Sequence, residues 1–317
     1  MARDKKQQVN EERRVLVQAA RDSIARGSKS FAMASNLFDR ETRERAWLLY
    51  AWCRACDDIV DGQDHGHGAA PVADAEARVA IIAEKTVAAL AGRTVGDMPF
   101  DALRMVAAET GLPARFAQDL VTGFRLDAED WRPRSEDDLY RYCYHVAGAV
   151  GCMMAVIMGV DPADEDTLDR ACDLGIAFQL ANIARDIEED DRIGRCYLPI
   201  EWLVEMDMPP GEHMKPPFRD RLVVLARRLA TRAALHEASA RVGAARLPPR
   251  ARWAVLAAAG IYGDIAREVA ARGAHAWDHR VTTPKSAKLA WVAKAAIAAR
   301  RPIKDTPRPP SLWTRPR

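Results

Sequence analysis

Hydrophobic positions recur at three- and four-residue intervals through most of this chain, and the alternating apolar and polar spacing of strands is scarce. That period predicts helices over about 10–26, 30–38, 41–61, 74–91, 99–110, 113–126, 135–159, 164–191, 199–205, 217–243, 248–273 and 285–301. Gly27 reads as a helix stop, with Ser28 and Ser30 as N-cap candidates after it. Gly62 to Pro71 and Met206 to Pro217, rich in glycine or proline, read as loops. No fixed-period repeat and no proline- or serine-rich linker divides the first ~300 residues. Residues 1–300 are therefore expected to form one all-α domain, followed by a basic, proline-rich tail over 301–317.

The helix over 41–61 ends in Ala51-Trp-Cys-Arg-Ala-Cys-Asp-Asp-Ile-Val-Asp61. A helix C-terminus already carries partial negative charge, so each acid there costs roughly 0.3–1 kcal/mol relative to a base. At ~100° per residue, Arg54, Asp57 and Asp61 fall within about 40° of Tyr50, on one stripe. Around that stripe lie Trp47, Leu48, Leu49, Trp52, Ile59 and Val60, which places the acids inside rather than on a solvated face. The arrangement repeats in Phe178-Gln-Leu-Ala-Asn-Ile-Ala-Arg-Asp-Ile-Glu-Glu-Asp-Asp191, where Gln179, Asn182, Asp186 and Asp190 share a stripe. Either D-x-x-x-D pair alone reads as wet helix surface. Two pairs of the same build point to a common ligand.

Like charges withdrawn from water need a countercharge. Carboxylate and amide oxygens without converging His or Cys select hard cations, so Mg²⁺ or Mn²⁺ is the expected metal. Mg²⁺ keeps several waters and is completed by phosphate oxygens, which makes a diphosphate the expected ligand. On the helix over 135–159, Tyr142, Val146, Ala149 and Met153 share a face. Gly148 and Gly151 either thin that helix for a bulky apolar ligand or permit close helix packing. An apolar wall beside two diphosphate clamps fits a prenyl diphosphate.

Composition narrows the picture. With 47 basic and 45 acidic side chains the net charge is +2, and no nucleic-acid partner is implied. The polar, charged start from Met1 to Arg14 lacks an apolar secretory core, and the longest uncharged run, Val146 to Val160, is shorter than the ~20 residues of a membrane span. A cytoplasmic location is expected. The 6 cysteines are expected to be reduced, mostly buried thiols; Cys53 and Cys56 spell C-x-x-C without the second pair or histidines of a zinc site. His65 and His67 read as solvent-exposed bystanders. From Lys285 onward nine bases face Asp305 alone, so this region is either a solvated tail or a peripheral contact with anionic membrane on the inner face of the plasma membrane, with Trp291 and Trp313 as anchors.

The segments Gly27-Ser-Lys-Ser-Phe-Ala, Leu49-Tyr-Ala-Trp-Cys-Arg-Ala-Cys-Asp-Asp-Ile-Val-Asp, Tyr142-Cys-Tyr-His-Val-Ala-Gly, Phe178-Gln-Leu-Ala-Asn-Ile-Ala-Arg-Asp-Ile-Glu-Glu-Asp and Gly194-Arg-Cys-Tyr-Leu-Pro resemble the squalene/phytoene synthase family, in order, from about residue 15 to 280. The likeness is greatest to the bacterial phytoene-forming members. The resemblance implies an all-α isoprenoid synthase fold with two aspartate motifs facing each other across a central cavity. It also implies head-to-head condensation of two geranylgeranyl diphosphates, through prephytoene diphosphate, to phytoene. By motif, Asp57, Asp61, Asn182, Asp186 and Asp190 would hold Mg²⁺; Tyr50, Arg54, Gln179 and Arg185 would contact diphosphates; Tyr142 would sit near the reacting carbons. Ser28 and Lys29, the latter replacing an arginine common in squalene synthases, with Tyr262 and Arg280, complete the implied substrate-binding set.

No Gly-rich dinucleotide loop is present, in keeping with a product that needs no NADPH. The rival readings are the same chemistry on farnesyl diphosphate and a non-catalytic helical assembly protein of the same fold. Head-to-tail elongation fits less well, because Gly62 and Gln63 stand where an Arg-Arg pair usually follows the first acidic motif. A downstream desaturase is not specified by the sequence.

Overall fold

The computed structural model describes residues 2–27, 34–61 and 74–317. Among these residues no strand occurs. The helices are α1 (Ala2–Gly27), α2 (Arg40–Asp61), α3 (Ala75–Leu90), α4 (Met98–Thr110), α5 (Ala114–Ala128), α6 (Glu136–Cys143), α7 (Ala149–Ile157), α8 (Glu165–Arg192), α9 (Ile200–Glu205), α10 (Arg219–Gly243), α11 (Pro249–Arg272) and α12 (Lys285–Ala298). Sequence periodicity located most of their ends to within about three residues, as expected of strongly patterned helices. Three expectations change. The first helix, expected from about residue 10, begins at Ala2, and residues 30–33 of the helix expected over 30–38 lie outside the described residues. Residues 36–38 form a turn rather than a helix end, and the helix expected over 135–159 is interrupted by one π-helical turn, Tyr144–Gly148.

Two compact units are distinguishable, Met1–Glu129 with Met153–Ala163 and Asp130–Cys152 with Asp164–Arg317. In the first, α2 packs against α1 and α4, and α3 against α4 and α5. Ile24 of α1, Leu48, Leu49 and Trp52 of α2, Ile82 of α3, Phe100 and Leu103 of α4 and Phe116 of α5 form its buried core. Arg13 ties three helices together, donating to Glu109 on α4 at 2.6 Å and to Glu44 on α2 at 2.5 Å. Asp39 starts α2 by accepting from the Thr42 backbone N–H at 2.9 Å and the Thr42 hydroxyl at 2.8 Å.

In the second unit α8 is the hub, packed against α10, α11 and the π turn. Asp164 caps it, accepting from the backbone N–H of Thr167. The approach to the π turn is backbone on backbone: a Cβ on Gly175 would strike the Ala147 carbonyl, and one on Gly151 would strike the Ala171 carbonyl. Glycine is thus required there for close packing. The alternative, that Gly148 and Gly151 open space for a ligand, is corrected: a Cβ on Gly148 would meet the Cys172 sulfur at 2.8 Å.

All six cysteines are free thiols, four of them buried. Among the described residues no helix is long and apolar enough to cross a membrane.

Candidate active site

On α2 the predicted stripe is assembled around Arg54. Its guanidinium lies 2.8 Å from Asp58 and 3.8 Å from Asp57. Burial pulls Arg54 down, but Asp57 and Asp58 more than offset this and hold it above its ordinary value. Tyr50 sits one turn earlier, its phenol pushed up by burial, and a Cβ on Gly27 would meet its hydroxyl at 2.5 Å and the Arg54 side chain at 3.5 Å. The end of α1 therefore lies directly against this stripe. Ser28 and Lys29, which follow Gly27, and His65 and His67 lie outside the described residues, as does the side chain of Asp61.

The expectation that the acids are interior needs correction. Asp57 keeps 42% of its side chain exposed, whereas Asp58 keeps 17%. The apolar residues of α2 are buried in its packing with α1 and α4, while Asp57 on the acidic stripe stays partly open. A half-open rim admits a charged ligand that a sealed interior would exclude.

On α8 the second stripe is held by arginines. Asp186 accepts from Arg185 Nε at 2.7 Å and from Arg280 at 3.0 Å, so its carboxylate is flanked by two guanidinium groups. Arg280 also pairs with Glu189. Burial, and then the neighbouring Asp186, push the Glu189 carboxyl above its usual range. Asn182 donates its amide to Gln179 at 3.5 Å, one turn before Asp186. Tyr262 on α11 stacks on Phe178, ring centroids 4.2 Å apart, and so reaches the same region of α8. The structure thus gathers Gln179, Asn182, Arg185, Asp186, Tyr262 and Arg280 along or against one helix, with Asp190 a turn further on.

Tyr142, on α6, is 3% exposed and lies in an aromatic stack with Tyr197 at 4.8 Å and Trp131 at 5.8 Å. Sequence reasoning gave those two neighbours no role. Tyr197 belongs to the Gly194-Arg-Cys-Tyr-Leu-Pro segment, but its stacking depends on tertiary contact that no helical period displays. Trp277 was missed for the same reason: its indole donates to the Ala184 carbonyl at 3.0 Å, between Asn182 and Asp186.

Each stripe offers carboxylate or amide oxygen, the donor type a hard divalent cation takes, but among the described residues no three acidic, histidine or cysteine side chains converge as a metal cluster would. An all-helical frame that carries two acid-and-arginine stripes is the frame of an isoprenoid-synthase class of protein, and its relatives among known proteins bear this out. The squalene/phytoene synthase family profile matches residues 24–287, and the chain belongs to that family. It is 44% identical over 305 residues to a phytoene synthase of Pseudescherichia vulneris, covering 95% of this chain and 98% of that one. A 15-cis-phytoene synthase of Pantoea ananas matches equally, at 44% over the same shares. Among solved structures, a dehydrosqualene synthase in complex with ligand superposes with a TM-score of 0.79 at 26% identity, covering 90% of this chain and 97% of that one. A squalene synthase from Alicyclobacillus acidocaldarius superposes at 0.73 with 23% identity over 83% and 95%, a likeness of fold.

Proposed function

We propose that this chain condenses two geranylgeranyl diphosphates head to head, through prephytoene diphosphate, to 15-cis-phytoene with release of diphosphate. It is a transferase with phytoene synthase function in carotenoid biosynthesis. The observation that carries the reading is near full-length identity of 44% to proteins named phytoene synthase.

Asp57, Asp61, Asn182, Asp186 and Asp190 are the residues proposed to hold Mg²⁺ or Mn²⁺, which when bound supplies positive charge to the departing diphosphate. Arg54, Arg185 and Arg280, with Tyr50, Gln179, Ser28, Lys29 and Tyr262, are proposed to orient the two diphosphates. Guanidinium groups already fixed beside the acids stabilise charge that builds on a leaving group without reorganising at that moment. Loss of the first diphosphate leaves an allylic cation, and the double bond of the second substrate attacks it; a proton is lost as the cyclopropane closes. Loss of the second diphosphate opens the ring, and a second proton loss creates the central double bond. No hydride enters, so NADPH is not required. Tyr142, with Tyr197 and Trp131 stacked behind it, supplies an apolar wall that keeps water from the cation.

Incubation of the purified protein with geranylgeranyl diphosphate and Mg²⁺, with and without NADPH, tests the reading. A C40 hydrocarbon formed equally in both supports it. A C30 product from farnesyl diphosphate alone would assign the C15 counterpart, and no diphosphate release from either substrate would favour a non-catalytic role. The expected anchors Trp291 and Trp313 are engaged within the chain, donating to Asp264 and Asp137, so the peripheral contact with anionic lipid is proposed instead through α12, where Leu289 and Ile297 are exposed. Co-sedimentation with phosphatidylglycerol vesicles, against neutral vesicles, checks it.

A further inference from the structure

Asp173, on α8, is fully buried, yet its carboxylate accepts four donors. Two come from α10: His236 Nδ1 at 2.7 Å and the Ser239 hydroxyl at 2.6 Å. The other two come from far along the chain, as Arg308 bonds both oxygens, Nε at 2.8 Å and a terminal nitrogen at 2.7 Å. Burial drives the Asp173 carboxyl up, but Arg308 and then His236 more than reverse this and hold it below the usual range. A permanent positive charge in a bidentate fork is what a buried carboxylate needs, and the C-terminal segment supplies it.

The same segment is anchored repeatedly. Arg315, wholly buried, pairs with Glu165 and, at 3.0 Å, with Asp169. Arg317 joins both acids, at 2.6 and 2.9 Å. In return Arg170 of α8 donates to the Thr306 carbonyl at 2.5 Å. Leu312 is buried, and Trp313 stacks on Tyr140 while its indole donates to Asp137 at 2.8 Å. Glu165, Asp169 and Asp173 follow at four-residue intervals, so one stripe of α8 is gripped for more than two turns.

We propose that residues 302–317 are an intramolecular strap that holds α8 in place, with Arg308 and Asp173 as positioning residues for the aspartate motif on that helix. At ~100° per residue Asp173 lies about 220° around α8 from Asp186, so the clamp acts from the side away from the motif and touches no reacting group. Its effect passes through the helix. The turnover readout rests on the condensation activity proposed above, whereas the stability readout does not.

The test is a cycle of full-length R308Q, D173N and R308Q/D173N. R308Q strands a buried carboxylate and is expected to lower the melting temperature by about 5–10 °C. Adding D173N removes the stranded charge and is expected to recover at least half of that loss. Assayed well below its own melting temperature, R308Q is expected to show a kcat lowered several-fold with little change in KM, restored towards wild type in the double variant. If R308Q does not fold, a folded and active double variant still supports the clamp. Additive losses in the double variant, unchanged melting of R308Q, or full turnover by folded R308Q would overturn the proposal. If the wild type itself yields no product, the activity reading fails while the stability cycle still decides whether the strap exists.

Discussion

Arg280 reaches back across 94 residues of sequence to bond Asp186, the acid at the centre of the second motif. Arg185 holds the same carboxylate from its own helix, so Asp186 carries two countercharges. Under the function proposed above, an arriving diphosphate would compete with Asp186 for these guanidinium groups and free its oxygens for a cation.

Replacing Asp186 by Asn removes that charge while keeping its shape. Turnover of geranylgeranyl diphosphate is expected to fall by at least about 100-fold, in the range seen when one preorganised electrostatic group is lost. Asp57→Asn is expected to behave alike. Circular dichroism and thermal melting should match wild type, and normal product formation by either folded variant would remove it from the site.

Arg280 is nearly half exposed, at 48%, so its ion pairs add little to folding. Arg280→Ala is expected to change stability by less than about 1 kcal/mol. A charge-assisted bond to a diphosphate is stronger, about 1.5–3 kcal/mol, and its loss should raise KM roughly tenfold or more. Steady-state kinetics beside urea unfolding separates the two effects.

Gly175→Ala should damage the fold rather than the chemistry. The new methyl would collide with the Ala147 carbonyl, a backbone atom that cannot turn aside. Overpacking of this kind costs about 1–3 kcal/mol, to be read as a lower denaturant midpoint with the slope preserved.

The cap on α2 predicts a pH effect. The backbone N–H of Thr42 is the leading cause that holds Asp39 below the ordinary carboxylate value of 3.8. Its folded-state value is thus depressed, and its contribution is complete above that pH and lost as pH falls through the depressed value. Asp39→Ala should cost about 1 kcal/mol at neutral pH and flatten the acid limb of the stability profile. A variant with the wild-type acid limb would show that the cap is energetically silent.

The helices themselves were legible because each presents its own period, as α2 and α8 do almost to the residue. Residue types in the two stripes were legible for the same reason. The openness of the stripe on α2 was not: an apolar surround reads as interior, and only the folded chain shows that Asp57 keeps much of its side chain exposed. The π turn at Tyr144–Gly148 left no mark either, since one extra residue per turn shifts a face without changing composition. The C-terminal arginines looked like a lipid-facing or solvated tail. Their partners Glu165, Asp169 and Asp173 lie some 135–152 residues away, a separation at which sequence patterns are silent.

The bare crossing of α8 over the π turn limits how this protein can change. Where Gly175 and Gly151 meet main-chain carbonyls, no side chain is available to trim by gradual substitution. A methyl added at Gly175 or Gly151 meets a main-chain carbonyl, so change at this crossing carries a cost in stability that positions off the contact escape.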